Sequence, residues 1–153
     1  MHRLRSFINS RPFLAPVLSV LLGKALSFLH DATQLALLPV GEWARVNFME
    51  QSNSPLLAEN AVNFSFHAIS FGAASLPVLL VMRALLDVRT LRYPVISFFT
   101  YLALTLWWFP LGLVIGFKPE LLPVLHLIPV GVLASALVFF SGAYLLARTP
   151  TAD

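Results

Sequence analysis

The sequence predicts an all-α membrane protein, a bundle of four transmembrane helices with a short interfacial helix between the first and second. Three observations carry that reading. Hydrophobic residues make up 58% of the chain and charged residues 11%, with a mean hydropathy of +0.82, whereas a soluble domain is about a quarter charged. Several uncharged runs are long enough, at roughly 1.5 Å per helical residue, to cross a hydrocarbon core of roughly 30 Å. The basic residues stand at the ends of these runs, so the net charge of +3 reports topology and does not mark a nucleic-acid surface. A length of 153 residues suits a single domain.

The first span falls at residues 12–32. Its apolar run Pro12–Gly23 is interrupted by Lys24 and resumes at Ala25–Leu29. Arg3, Arg5 and Arg11 followed by Phe13–Leu22 also resemble a signal peptide, but no small-residue cleavage site follows, and the segment reads as a retained helix. Between about Asp31 and Asn60, Trp43 and Phe48 suit the headgroup level and Gln51-Ser52-Asn53-Ser54-Pro55 is rich in breakers. A short interfacial helix followed by a loop is expected there. The second span, residues 61–82, lies between Glu59 and Arg83. The third, 93–117, lies between Arg92 and Lys118, and the fourth, 121–147, between Glu120 and Arg148. The tight turn Lys118-Pro119-Glu120 makes the last two spans antiparallel neighbours.

Lysine and arginine fix the orientation. With both termini cytoplasmic, Arg3, Arg5, Arg11, Arg83, Arg89, Arg92 and Arg148 lie inside and only Arg45 and Lys118 outside. Dropping the first span would split the arginines between the two faces. The short loops and this asymmetry point to a bacterial plasma (inner) membrane.

Lys24 falls inside the first span, where an ammonium costs roughly 2.5–3.5 kcal/mol on insertion scales unless it finds water or a partner. Lys24, Ser27, Asp31 and Gln34 recur at helical spacing, as do Asn60, Asn63, His67 and Ser70 in the second span. Two such stripes suggest a polar seam, serving either as interhelical hydrogen bonds or as a pocket open to the outer face. His30, His67 and His126 all map to the outer leaflet. His67 and His126, at matched depth on different helices, could take a b-type haem, and the three together could hold zinc or copper. Gly112-x-x-x-Gly116 is the close-approach motif of membrane helices, with Ala68-x-x-x-Gly72 and Gly131-x-x-x-Ser135 as weaker versions. The aromatic group Phe98, Phe99, Tyr101, Trp107, Trp108 and Phe109 reads as lipid-facing or packing surface, with a quinone site as the alternative.

With no cysteine in the chain, disulfides, thiolate metal sites and CxxC redox chemistry are excluded, and with them the cysteine pair of vitamin K epoxide reductase-like proteins. Lys24 stands in the first helix where small multidrug transporters need a glutamate. The phosphate loop, the H-E-x-x-H and G-x-S-x-G motifs and the D-x-x-D magnesium motif are absent from the sequence. The expected function is therefore a non-catalytic accessory or assembly subunit of a larger membrane complex, in contact with the bilayer and with a protein partner or a second copy. The alternatives are a homo-oligomeric transporter or channel for a small solute or ion, and a haem-, metal- or quinone-binding membrane enzyme. No particular cofactor is specified.

Overall fold

The computed structural model describes residues 2–86, 91–106 and 127–149, and these are helical almost throughout, with no strand among them. The helices are α1 (His2–Ser10), α2 (Leu14–Gln51), α3 (Pro55–Leu85), α4 (Arg92–Leu106) and α5 (Leu127–Arg148). Three of them, α2, α3 and α5, are long and apolar enough to cross a membrane. The last residues of the expected third span, the turn at 118–120 and the start of the fourth lie outside the described residues, as do Gly112, Gly116, His126 and Trp107–Phe109.

Helix α1 precedes the first span and was not expected from the sequence. Its Ile8 packs against the core, and the Asn9 side-chain amide donates to the Leu85 carbonyl at 3.3 Å. The chain breaks at Arg11–Phe13 because Pro12 has no amide hydrogen and disfavours a helical residue before it. Helix α2 then runs unbroken for 38 residues, about 57 Å. The expected interfacial helix is not a separate element: its residues continue α2, and the loop is only Ser52–Ser54. Pro39 removes one backbone hydrogen bond without ending the helix. Beyond it the edge of the Phe66 ring lies so close to Gly41 that a Cβ there would sit 2.8 Å from the ring, and this packing ties the upper part of α2 to α3. Pro55, at the first position of α3, costs nothing because that amide is unbonded in any helix.

The principal packing pairs are α2 with α3, α3 with α5 and α2 with α4. Among the described residues, helices α4 and α5 touch through Phe98, whose ring lies 5.6 Å from Phe139 and 5.2 Å from Phe140. The core is built from Leu22 and Leu26 of α2, Phe71, Val78, Leu79 and Met82 of α3, Phe98 and Tyr101 of α4, and Phe139 of α5. Within the aromatic group Phe98 and Tyr101 are therefore buried, whereas Phe99 is 62% exposed. Phe13, Phe28 and Leu35 are each more than 70% exposed, as lipid-facing residues are expected to be.

One end of the bundle gathers the arginines. Arg83, at the end of α3, donates to the Thr149 carbonyl beyond α5 at 3.1 Å, and Arg92 opens α4. The Ser97 hydroxyl donates to the Ser19 carbonyl near the start of α2. Thus α2 and α4 leave this end while α3 and α5 return to it.

Candidate functional site

Polar side chains meet at two places, one inside the bundle and one outside. The inner cluster centres on His30, which is 1% exposed. Its Nδ1 lies 2.9 Å from the Tyr101 hydroxyl and its Nε2 lies 3.3 Å from the Ser70 hydroxyl, so α2, α3 and α4 each contribute one group. Hydroxyls both donate and accept, and the chain is satisfied in either direction. In one, Tyr101 donates to Nδ1 and Nε2–H donates to Ser70, whose hydroxyl also faces the His67 carbonyl at 3.4 Å. In the other, Ser70 donates to Nε2 and Nδ1–H donates to Tyr101.

One helical turn further along, the His67 ring stands 5.8 Å from His30, centroid to centroid. The Gln34 amide donates to His67 Nδ1 at 3.2 Å, which leaves Nε2 to carry the ring hydrogen. That edge of the ring lies over Gly131, where a Cβ would sit 3.1 Å from Nε2. The Asn63 amide donates to the Leu127 carbonyl at 3.2 Å, and the Ser27 and Thr105 hydroxyls are 3.4 Å apart. A cavity of about 210 Å³ opens among these groups, lined on its polar side by His30, Gln34, Asn63, His67, Tyr101, Thr105 and Ser135. Its remaining wall is Leu102, Leu106, Leu127, Ile128 and Val132 from α4 and α5, together with Gly131. Asn63 and Leu127 also border a second cavity of about 250 Å³, which reaches Leu38, Glu42, Arg45 and Glu59.

The structure divides the residues singled out in the sequence. Ser27, Gln34, Asn63, His67 and Ser70 lie between helices, and His30 joins them at the centre. Asn60 keeps a buried side-chain oxygen without a hydrogen-bond partner. Lys24 and Asp31 are exposed and lie outside this cluster. The buried face of α2 is instead Ala15, Ser19, Leu22, Gly23, Leu26 and His30. Tyr101, Thr105 and Gly23 were missed. Gly23 is where α2 meets α4, since a Cβ there would sit 2.7 Å from the Thr100 Cβ, and Ser19-x-x-x-Gly23 has the small-residue spacing that would have revealed it. Of the weaker motifs, Gly72 has ordinary contact with Val138, Ala68 is half-buried, and Gly131 and Ser135 border the cavity. Among the described residues no three His, Cys, Asp or Glu side chains form a metal-binding group, and both nitrogens of His30 already face hydroxyls.

The outer feature is the far face of α2. Val17, Leu21, Lys24, Phe28, Asp31 and Leu35 recur at alternating steps of four and three and are all exposed, the spacing of a heptad repeat. Leu38, Asn63 and Leu127 line one cavity and so mark a common level at which α5 begins. Lys24 lies about 15 Å from Leu14 and about 21 Å from Leu38 along α2. No family model, curated protein or solved structure matches the chain.

Proposed function

We propose that this chain is a non-catalytic subunit of a larger membrane complex, docked through the exposed face of α2 onto a helix of a different protein that carries a carboxylate at the depth of Lys24. The observation that carries this reading is the exposed ammonium of Lys24, with no acid paired to it among the described residues, which the topology proposed below sets at mid-membrane. Facing lipid there, it would cost roughly 2.5–3.5 kcal/mol, and a partner carboxylate removes that cost. Asp31, about 10 Å further along the same face, calls for a donor in return. A second copy fits poorly. Identically oriented copies run parallel, and a two-fold axis along this seam would set Lys24 against Lys24.

The proposed topology is four spans with both termini cytoplasmic, in a bacterial plasma membrane. Arg83, Arg92 and Arg148 at one end support it, as does the direction of α4. Helix α4 leaves the arginine end and α5 starts at the opposite end, which is the direction that a third span beginning with α4 requires.

A photo-crosslinker placed at Phe28 in native membranes tests the docking. The expected product is a heteromeric adduct that persists in Lys24→Arg and is lost in Lys24→Glu. An adduct with itself, no adduct, or one indifferent to the charge at position 24 would overturn the proposal.

A further inference from the structure

The inner cavity differs from the α2 face in that, among the described residues, none that lines it is Asp, Glu, Lys or Arg. An ion entering it from water would have no fixed countercharge, which disfavours ionic occupants. Size narrows the choice further. Sites for drug-sized ligands run from roughly 300 Å³ upward, whereas a cavity of roughly 150 Å³ is enough for benzene. At about 210 Å³ this one holds a single ring or a compact head and little more.

Its walls define what such a head must carry. One side presents hydrogen-bonding groups: the Nε2–H edge of His67 over Gly131, and the hydroxyls of Tyr101, Thr105 and Ser135. The Gln34 amide is already spent on His67 Nδ1, and the Asn63 amide on the Leu127 carbonyl. The opposite side is aliphatic, from Leu102 and Leu106 of α4 and Ile128 and Val132 of α5. His67 Nε2 is the imidazole nitrogen in the cluster that neither Gln34 nor the hydroxyls around His30 engage. An acceptor oxygen on an otherwise apolar molecule satisfies it.

We infer that the cavity between His67, Tyr101, Ser135 and Ile128 binds the uncharged, carbonyl-bearing head of an apolar membrane molecule, with the carbonyl oxygen accepting from His67 Nε2–H. Two sources share this chemistry, a quinone ring and the ester carbonyl of a neutral glycerolipid. Binding alone is assigned, with no electron transfer. The site is independent of the α2 seam, because Lys24 and Asp31 do not line it.

The test is thermal unfolding of the full chain in nanodiscs titrated with decylubiquinone, with monoolein, or with decane, which has a chain of similar length and no acceptor oxygen. A saturable rise in Tm is expected with one of the two carbonyl probes, and which one responds identifies the source. His67→Gln, which keeps a side-chain donor, is expected to retain binding. His67→Phe is expected to weaken it at least tenfold, and Gly131→Leu, which fills the cavity, to abolish it. No saturable response to either carbonyl probe would overturn the inference, as would an equal response to decane or full binding in both His67→Phe and Gly131→Leu. If Gly131→Leu fails to fold, the pair of His67 variants decides alone.

Discussion

The two ends of the bundle use small residues to opposite purposes. In the half of the bundle nearer the arginines, Gly23 brings α2 and α4 together backbone to backbone, Ser97 donates to the Ser19 carbonyl at 2.7 Å, and Leu79 packs where a Gly142 Cβ would sit, 2.9 Å from its Cδ1. At the far end, Gly41 and Gly131 make room for the rings of Phe66 and His67, and a cavity remains beside them. In lipid the apolar solvent gives little reason for helices to associate, so contact itself must hold them. The arginine end gains that contact by excluding volume, and the far end by hydrogen bonds between rings, amides and hydroxyls. The first should therefore be sensitive to added bulk, and the second to lost polar groups.

The sharpest way to break this contrast is to add bulk at both ends. Gly23→Val drives a branched side chain into the Ser97 carbonyl and the Thr100 Cβ, where backbone must move, and is expected to cost about 3 kcal/mol or more. Gly131→Ala meets only the tip of the His67 ring at 3.1 Å, beside open space, and is expected to cost less than about 1 kcal/mol. Equilibrium unfolding in mixed detergent micelles measures both. Equal costs would mean that the far end is as closely packed as the other and that the cavity offers no slack.

The polar end is probed by removing groups. His30→Leu leaves the Tyr101 and Ser70 hydroxyls facing an apolar side chain, and is expected to cost about 2 kcal/mol. Tyr101→Phe strands one side of His30 at about 1 kcal/mol. The double variant should cost about 1 kcal/mol less than the sum, because the second change removes a group that the first has already stranded. Strict additivity would show that these groups do not act as one network.

How much of this was legible in the sequence depends on what each residue's signal consists of. Uncharged length is a property of the chain itself, and so α3 and α5 could be read directly, and the first part of α2 despite Lys24. The loop at Ser52–Ser54 was also visible, because serine, asparagine and proline compete with helix wherever they cluster. The interfacial helix was misread because Asp31 looks like the end of a span and Trp43 like a residue at the headgroup level, and nothing in their spacing shows that Phe66, on another helix, packs over Gly41 and ties the two helices together there. The same limit explains Lys24. Its step to Ser27 fits a common stripe, but Ser27 lies at the flank of the buried face, and the few tens of degrees between them put one residue beside Thr105 and the other outside. Tyr101 looked like one more aromatic among six, since only the fold sets its hydroxyl against His30.

The smallest expected effect tests whether the arginine end is held by volume alone. The Ser97 hydroxyl donates across the α2–α4 contact, and Ser97→Ala removes that bond. The Ser19 carbonyl that accepts it lies inside a helix and also takes the amide four residues on, so no acceptor is left stranded. The expected cost is therefore about 0.6 kcal/mol, the average for such bonds between membrane helices, and below the roughly 1.7 kcal/mol that the strongest reach. The same unfolding measurement applies. A loss near the upper figure would mean that the hydroxyl fixes the register of α2 on α4, and that Gly23 permits an approach which Ser97 then locks.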